Sequence, residues 1–205
     1  MQRLLITTVV ALSSCAEPAP QPNPELPAVG LENELQVEKE PQVEQVSIDG
    51  AALMKSWRPE QLTLPPSWAP NMASGKEDVR FAPGMFVEGA EDYWSYVFRI
   101  DFDEEQSGSE AVKDFLEQYY DGLLGLVGRG RGLDMGDDPA QVQIESASEQ
   151  KLEVKVDLID AFVTGKPLVL FLDWRSEGKT VHVTASPQPR SHEIWHSLRA
   201  VAEQL

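Results

Sequence analysis

Ten consecutive residues, Tyr93 to Phe102, put Trp94, Tyr96, Phe98, Ile100 and Phe102 on one side of an extended chain and Ser95, Arg99 and Asp101 on the other. A period of two in aromatic and β-branched residues specifies a strand with one buried face, and that face needs a partner layer. The next periodic run supplies it. Ser107-Gly108-Ser109 offers N-caps, and Val112, Phe115, Leu116, Tyr119, Leu123 and Val127 recur at three-and-four spacing. This predicts an amphipathic helix over 110–127. Gly128 is a plausible stop, with a glycine-rich, charged loop over 128–139.

Three more strands are expected. Residues 142–147 are short, 152–159 alternate, and 168–174 are apolar on nearly both faces, which places that strand centrally in the sheet. Glu177-Gly178 predicts a tight turn into a strand over 180–185. Pro187 and Pro189 end that strand, and Ser191 caps a last helix to Leu205. Residues 46–92 show no long periodic run, and Pro59, Pro65, Pro66 and Pro70 suggest an irregular wrap with short strands. The expected body is α+β: an antiparallel sheet of about four strands in the order strand-helix-strand-strand-strand-helix. Two helices lie on one face, preceded by the irregular segment.

The N-terminus points to a compartment. Met1 and Arg3 open the chain, Leu4 to Leu12 is largely apolar, and Ser13-Ser14-Cys15 follows with the only cysteine. The apolar run is far shorter than the about 20 residues that span a bilayer. The pattern resembles the signal peptide and lipobox of bacterial lipoproteins. That resemblance implies removal of 1–14, a diacylglyceryl thioether and an N-acyl chain such as palmitate on Cys15, and anchoring in the bilayer of the cell envelope. In a Gram-negative host, Ala16 rather than aspartate implies sorting to the outer membrane. Residues 15–45 carry Pro18, Pro20, Pro22, Pro24, Pro27 and Pro41, and seven glutamates against Lys39. Such a segment is expected to be a disordered acidic tether. Residues 46–205 then form one domain, large enough for a single core.

A formal charge of −17 argues against nucleic acid, whose phosphates need a basic face. It also argues against docking on anionic head groups. One cysteine permits no internal disulfide, so packing alone must hold the core.

The sharpest motif is His192-Glu193-Ile194-Trp195-His196, which resembles the H-E-x-x-H zinc helix of zincin metallopeptidases. The resemblance implies His192 and His196 as zinc ligands and Glu193 as the base that activates a water. The helical wheel opposes it. Ile194, Trp195, Leu198, Val201, Ala202 and Leu205 share one stripe, which turns both histidines toward solvent. A catalytic zinc also needs a third protein ligand. The metzincin extension would put glycine at 199 and histidine at 202, where Arg199 and Ala202 stand. No metal and no cofactor are therefore assigned.

Asp173 and His182 form a second constellation. A turn at Glu177-Gly178 pairs 173 with 182, setting a carboxylate opposite an imidazole. This is half of an acid–base pair, with Ser186 as a neighbour, or a surface cross-strand pair, the preferred reading. Arg129 and Arg131, between Gly128, Gly130 and Gly132, could hold an anion, but the run follows a helix and meets the wrong end of its dipole. The acidic runs 101–105 and 134–138 lack the spacing of an EF-hand. Trp57, Trp68, Trp94, Tyr96, Trp174 and Trp195 are assigned to the core, or else to a pocket. The expected function is a tethered envelope lipoprotein that binds or scaffolds, with an envelope protein as a candidate partner. A zinc hydrolase and a small-ligand carrier are the alternatives, and a large apolar pocket would favour the carrier.

Overall fold

The computed structural model describes residues 48–205. Cys15, the expected leader and the whole of the expected tether lie outside the described residues.

The alternating run becomes β3 (Tyr96–Phe102), with Tyr96, Phe98, Ile100 and Phe102 buried on one side as the period of two requires. It does not lie at the start of a four-stranded sheet. Two further strands precede it, β1 (Arg58–Leu64) and β2 (Gly75–Phe81), after a short helix α1 (Gly50–Ser56). After β3 come α2 (Ser109–Arg131), β4 (Ala140–Ala147), β5 (Lys151–Ile159), β6 (Pro167–Glu177), β7 (Thr180–Ser186) and α3 (Ile194–Ala202). The seven strands form one sheet in the order β1-β2-β3-β7-β6-β5-β4, antiparallel throughout.

The expectation of about four strands with two helices on one face is thus corrected to seven strands and three helices, divided between the two faces. The reason lies in β1 and β2. Pro59 is tolerated in β1 because β1 is an edge strand, whose outward N–H groups need no ladder partner. In β2, the buried side of the alternation includes a charged residue, Glu77, which hides the apolar pattern. β6 is interior as expected, but β7 is the middle strand.

The α2 face holds the main core. Phe115, Leu116, Tyr119, Tyr120 and Leu124 of α2 pack on Phe98, Ile100, Val156, Leu170, Leu172 and Val183. The opposite face carries a smaller core in which Trp195, Leu198 and Val201 of α3 cover Val97 of β3 with Trp57 and Ala82. The apolar stripe of the last helix therefore faces the sheet, as the wheel requires. Leu170 and Leu172 are fully buried. Leu→Ala at either site lowers the unfolding free energy by at least about 2 kcal/mol, checked by denaturant titration.

α2 runs on to Arg131, into the first residues of the 128–139 segment expected to be a loop, and the rest of that segment is non-helical. Tertiary contacts outweigh the poor helix propensity of Gly128 and Gly130. A Cβ at Gly128 would come within 2.3 Å of the Met135 side chain, so glycine is what lets the returning chain close on the helix. Arg131 then donates to the carbonyls of Ala161 and Val163, at 2.6 and 2.9 Å. The β6–β7 turn is Gly178-Lys179, one residue later than expected, because Gly178 with φ +63° takes the position that requires a left-handed backbone.

Candidate functional site

On the α2 face, β1, β2 and β3 leave a cleft against the helix, walled by aromatic rings. Trp68, Phe81, Phe86, Trp94, Tyr96 and Phe162 contribute to its lining, and its enclosed volume is about 130 Å³. A single water needs only about 10–15 Å³ by the same measure, so there is room for a ligand of several heavy atoms.

The far wall is built by a carboxylate turn. Asp160, at the end of β5, is buried and accepts the indole N–H of Trp94 at 2.9 Å. It also accepts the backbone N–H of Phe162, Val163 and Thr164 at 3.1, 3.0 and 2.6 Å, together with the hydroxyls of Thr164 and Tyr93. These bonds fix Phe162 against Phe86 and Trp94, at centroid distances of 5.6 and 5.5 Å. Trp94 itself has φ +51°, a conformation that costs a bulky side chain about 1–3 kcal/mol and persists only when over-determined. The bond to Asp160 and the bond from its backbone N–H to Met85 O, 3.1 Å, supply that determination. Burial alone would raise the Asp160 pKa, but the bonds from Tyr93, Thr164 and Val163 prevail and hold it at about 2.

Glu77 projects from β2 into the cleft. It is 2% exposed. Tyr119 Oη donates to its Oε1 at 2.9 Å. Its Oε2 is buried with no hydrogen-bond partner among the described residues. Burial pushes its pKa up to about 7, opposed by the Tyr119 bond and helped by the negative charge of Glu60. A carboxyl in this position can accept a hydrogen bond or, when protonated, donate one. Beside it Tyr96 and Tyr120 share a hydroxyl–hydroxyl bond of 2.6 Å, and burial raises both phenol pKa values. At the mouth, the Arg58 guanidinium sits 4.8 Å over Phe81 and 4.7 Å over Phe86.

Of the residues singled out from sequence, Trp68, Trp94 and Tyr96 line this cleft, and the polar ones lie elsewhere. Asp173 and His182 are not cross-strand partners, because the later turn pairs Asp173 with Thr184 and Arg175 with His182. Both nevertheless line one pocket on the α3 face. Ser186 takes no part there: its hydroxyl bonds Ser95 Oγ at 2.8 Å. Asp173 is gripped instead by Arg190, which donates from Nε to Oδ1 at 2.9 Å, from Nη1 to Glu145 at 2.8 Å, and from Nη2 to the carbonyls of Val154 and Leu172. Arg131 is occupied by the 161–163 carbonyls, and Arg129 stands exposed on the helix.

His192 and Glu193 precede α3, which starts at Ile194, so the motif is not one helical face. His192 Nδ1 accepts the Ile194 N–H at 3.2 Å, while Glu193 and His196 are exposed. Among the described residues no three His, Cys, Asp or Glu side chains converge as a metal site. None of the described helices is long and apolar enough to cross a membrane.

Sequence reasoning missed Glu77, Asp160 and Arg190. For Glu77 a signal existed: it shares the period-two face of Val79 and Phe81. For Arg190, whose partners lie 17 to 45 residues away along the chain, none did. No known protein family, curated protein or solved structure matches this chain.

Proposed function

We propose that this is a ligand-binding domain, carried at the envelope surface by a lipid on Cys15, whose cleft takes a small organic cation with a compact apolar body. The observation that carries the reading is the buried, unpartnered Oε2 of Glu77 inside a box of aromatic rings. A carboxylate beside aromatic faces is the chemistry that recognises an ammonium group. The acidic chain would also draw cations toward it. This develops the small-ligand carrier among the sequence expectations; the bilayer and an envelope protein remain the proposed partners of the anchor and tether.

Trp68 and Trp94 line the cleft, so tryptophan fluorescence reports on it. Titration with n-butylammonium is expected to change the emission saturably, and butanol to act at least about tenfold more weakly, the 1.4 kcal/mol expected of one charge-assisted hydrogen bond. Affinity should rise as pH passes through about 7, where Glu77 ionises. An equal response to butanol, or no saturation with either, overturns the reading. The anchor has its own test: Cys15→Ser should move the protein from the membrane fraction to the soluble one.

A further inference from the structure

The opposite face of the sheet carries a second, polar pocket of about 300 Å³ between β6, β7 and the C-terminal half of α3. Its floor contains two buried polar atoms with no hydrogen-bond partner among the described residues, Asp173 Oδ2 and Thr184 Oγ1. Buried polar groups are nearly always satisfied, so two together need an account. The cations nearest Asp173 Oδ2 stand off it, Lys151 Nζ at 3.5 Å and Arg199 Nη2 at 4.0 Å.

The rim is cationic as well as acidic. Arg175 lies directly opposite His182 across the β6–β7 ladder, a pairing that is unfavourable whenever the imidazole is charged. Arg175 makes no ion pair among the described residues, and the only one of Arg199 is its 4.0 Å approach to Asp173. Asp173 is already balanced on Oδ1 by Arg190. Glu177 and Glu203 complete the lining. The pocket therefore offers a deep acceptor 4.0 Å from the Arg199 guanidinium, with the Thr184 hydroxyl and the exposed Arg175 in the same lining. A simple anion would leave Asp173 Oδ2 unmet, and a simple cation would leave the guanidinium groups unmet.

We propose that this pocket binds a free α-amino acid as the zwitterion. Its ammonium donates to Asp173 Oδ2 and Thr184 Oγ1, and its carboxylate accepts from Arg199 and Arg175. The 4.0 Å between Asp173 Oδ2 and Arg199 Nη2 is too long for a hydrogen bond. Adjacent ammonium and carboxylate groups on one carbon bridge such a gap. The site is separate from the aromatic cleft and does not depend on it.

The chain has three histidines, and only His182 lines this pocket. Their ring C–H signals, assigned with His182→Gln, provide a local readout on the full-length protein. Titration with L-serine is expected to shift the His182 signal saturably, with a Kd of ~1 mM, while His192 and His196 stay in place. Acetate and methylammonium, each half of the zwitterion, should bind at least about tenfold more weakly. Arg199→Gln and Thr184→Val should each weaken serine binding by about the same factor, with an unchanged thermal melting temperature showing that the fold is intact. An equal response to acetate alone would make it an anion site, and an equal response to methylammonium a cation site. Either result overturns the proposal, as does an unmoved His182 signal.

Discussion

Asp160→Ala is expected to lower the unfolding free energy by about 5 kcal/mol or more, enough to unfold a domain of ordinary stability. The carboxylate gathers donors from the Tyr93, Trp94 and Thr164 side chains and from the backbone N–H groups of Phe162, Val163 and Thr164. Removing it orphans the buried Trp94 indole N–H, at about 1–3 kcal/mol, and leaves five part-buried donors without their acceptor. It also releases Trp94 from its left-handed conformation and Phe162 from the cleft wall. Denaturant titration measures the loss, and a change under about 1 kcal/mol would show that the turn is not held this way. The pH dependence has a definite sign. The folded pKa of about 2 lies below the ordinary 3.8. The contribution of Asp160 is therefore complete above 3.8 and fades as pH falls through 3.8 toward 2. The isosteric Asp160→Asn is destabilised at neutral pH and lacks that acid-side slope.

Glu77→Gln is expected to act in the opposite direction. The folded pKa is raised from 4.5 to about 7, so the folded state holds the proton longer than the unfolded chain. Stability then declines as pH rises from 4.5 to about 7, and the whole loss, about 3 kcal/mol, is present above that window. Glutamine keeps an acceptor for Tyr119 and carries no charge, so the variant is more stable at pH 8 by up to about 3 kcal/mol and shows no decline across that range. The same change weakens n-butylammonium binding by at least about tenfold. A thermal melt series in pH, run beside the fluorescence titration, reads both effects. A variant no more stable than the parent at pH 8 would refute the buried, proton-holding carboxyl. A charged side chain that weakens the fold while creating a recognition group is a common trade at binding sites.

The expected strands and helices from residue 96 onward coincide with observed ones to within a few residues, and the reason is periodicity. Tyr96, Phe98, Ile100 and Phe102 sit on one face of a strand whatever surrounds it. Leu198 and Val201 likewise turn inward because helix spacing puts them on the stripe of Trp195. β1 and β2 were not legible. Pro59 is acceptable only because no strand lies beyond β1, and an edge is a property of the sheet, not of the segment. The sheet's size depends on these two strands, and the placing of α2 and α3 on opposite faces depends on the packing of each helix.

The candidate sites were legible only in fragments. Trp68, Trp94 and Tyr96 could be named as core or pocket, but not which, since an aromatic ring packs the same way against a neighbour or a ligand. Asp173 and His182 do share a pocket, yet by a different register from the one a turn at 177–178 implied. The sequence alone determined the period of each strand and helix, the acidic charge and the lone Cys15 after an apolar N-terminal run. Only the tertiary structure decided that Glu77 is buried without a partner for Oε2, that Asp160 organises the cleft wall, and that Arg190 ties β4, β5 and β6 together. Periodicity acts between residues a few positions apart, whereas the cost of burying a charge depends on which distant groups fold against it.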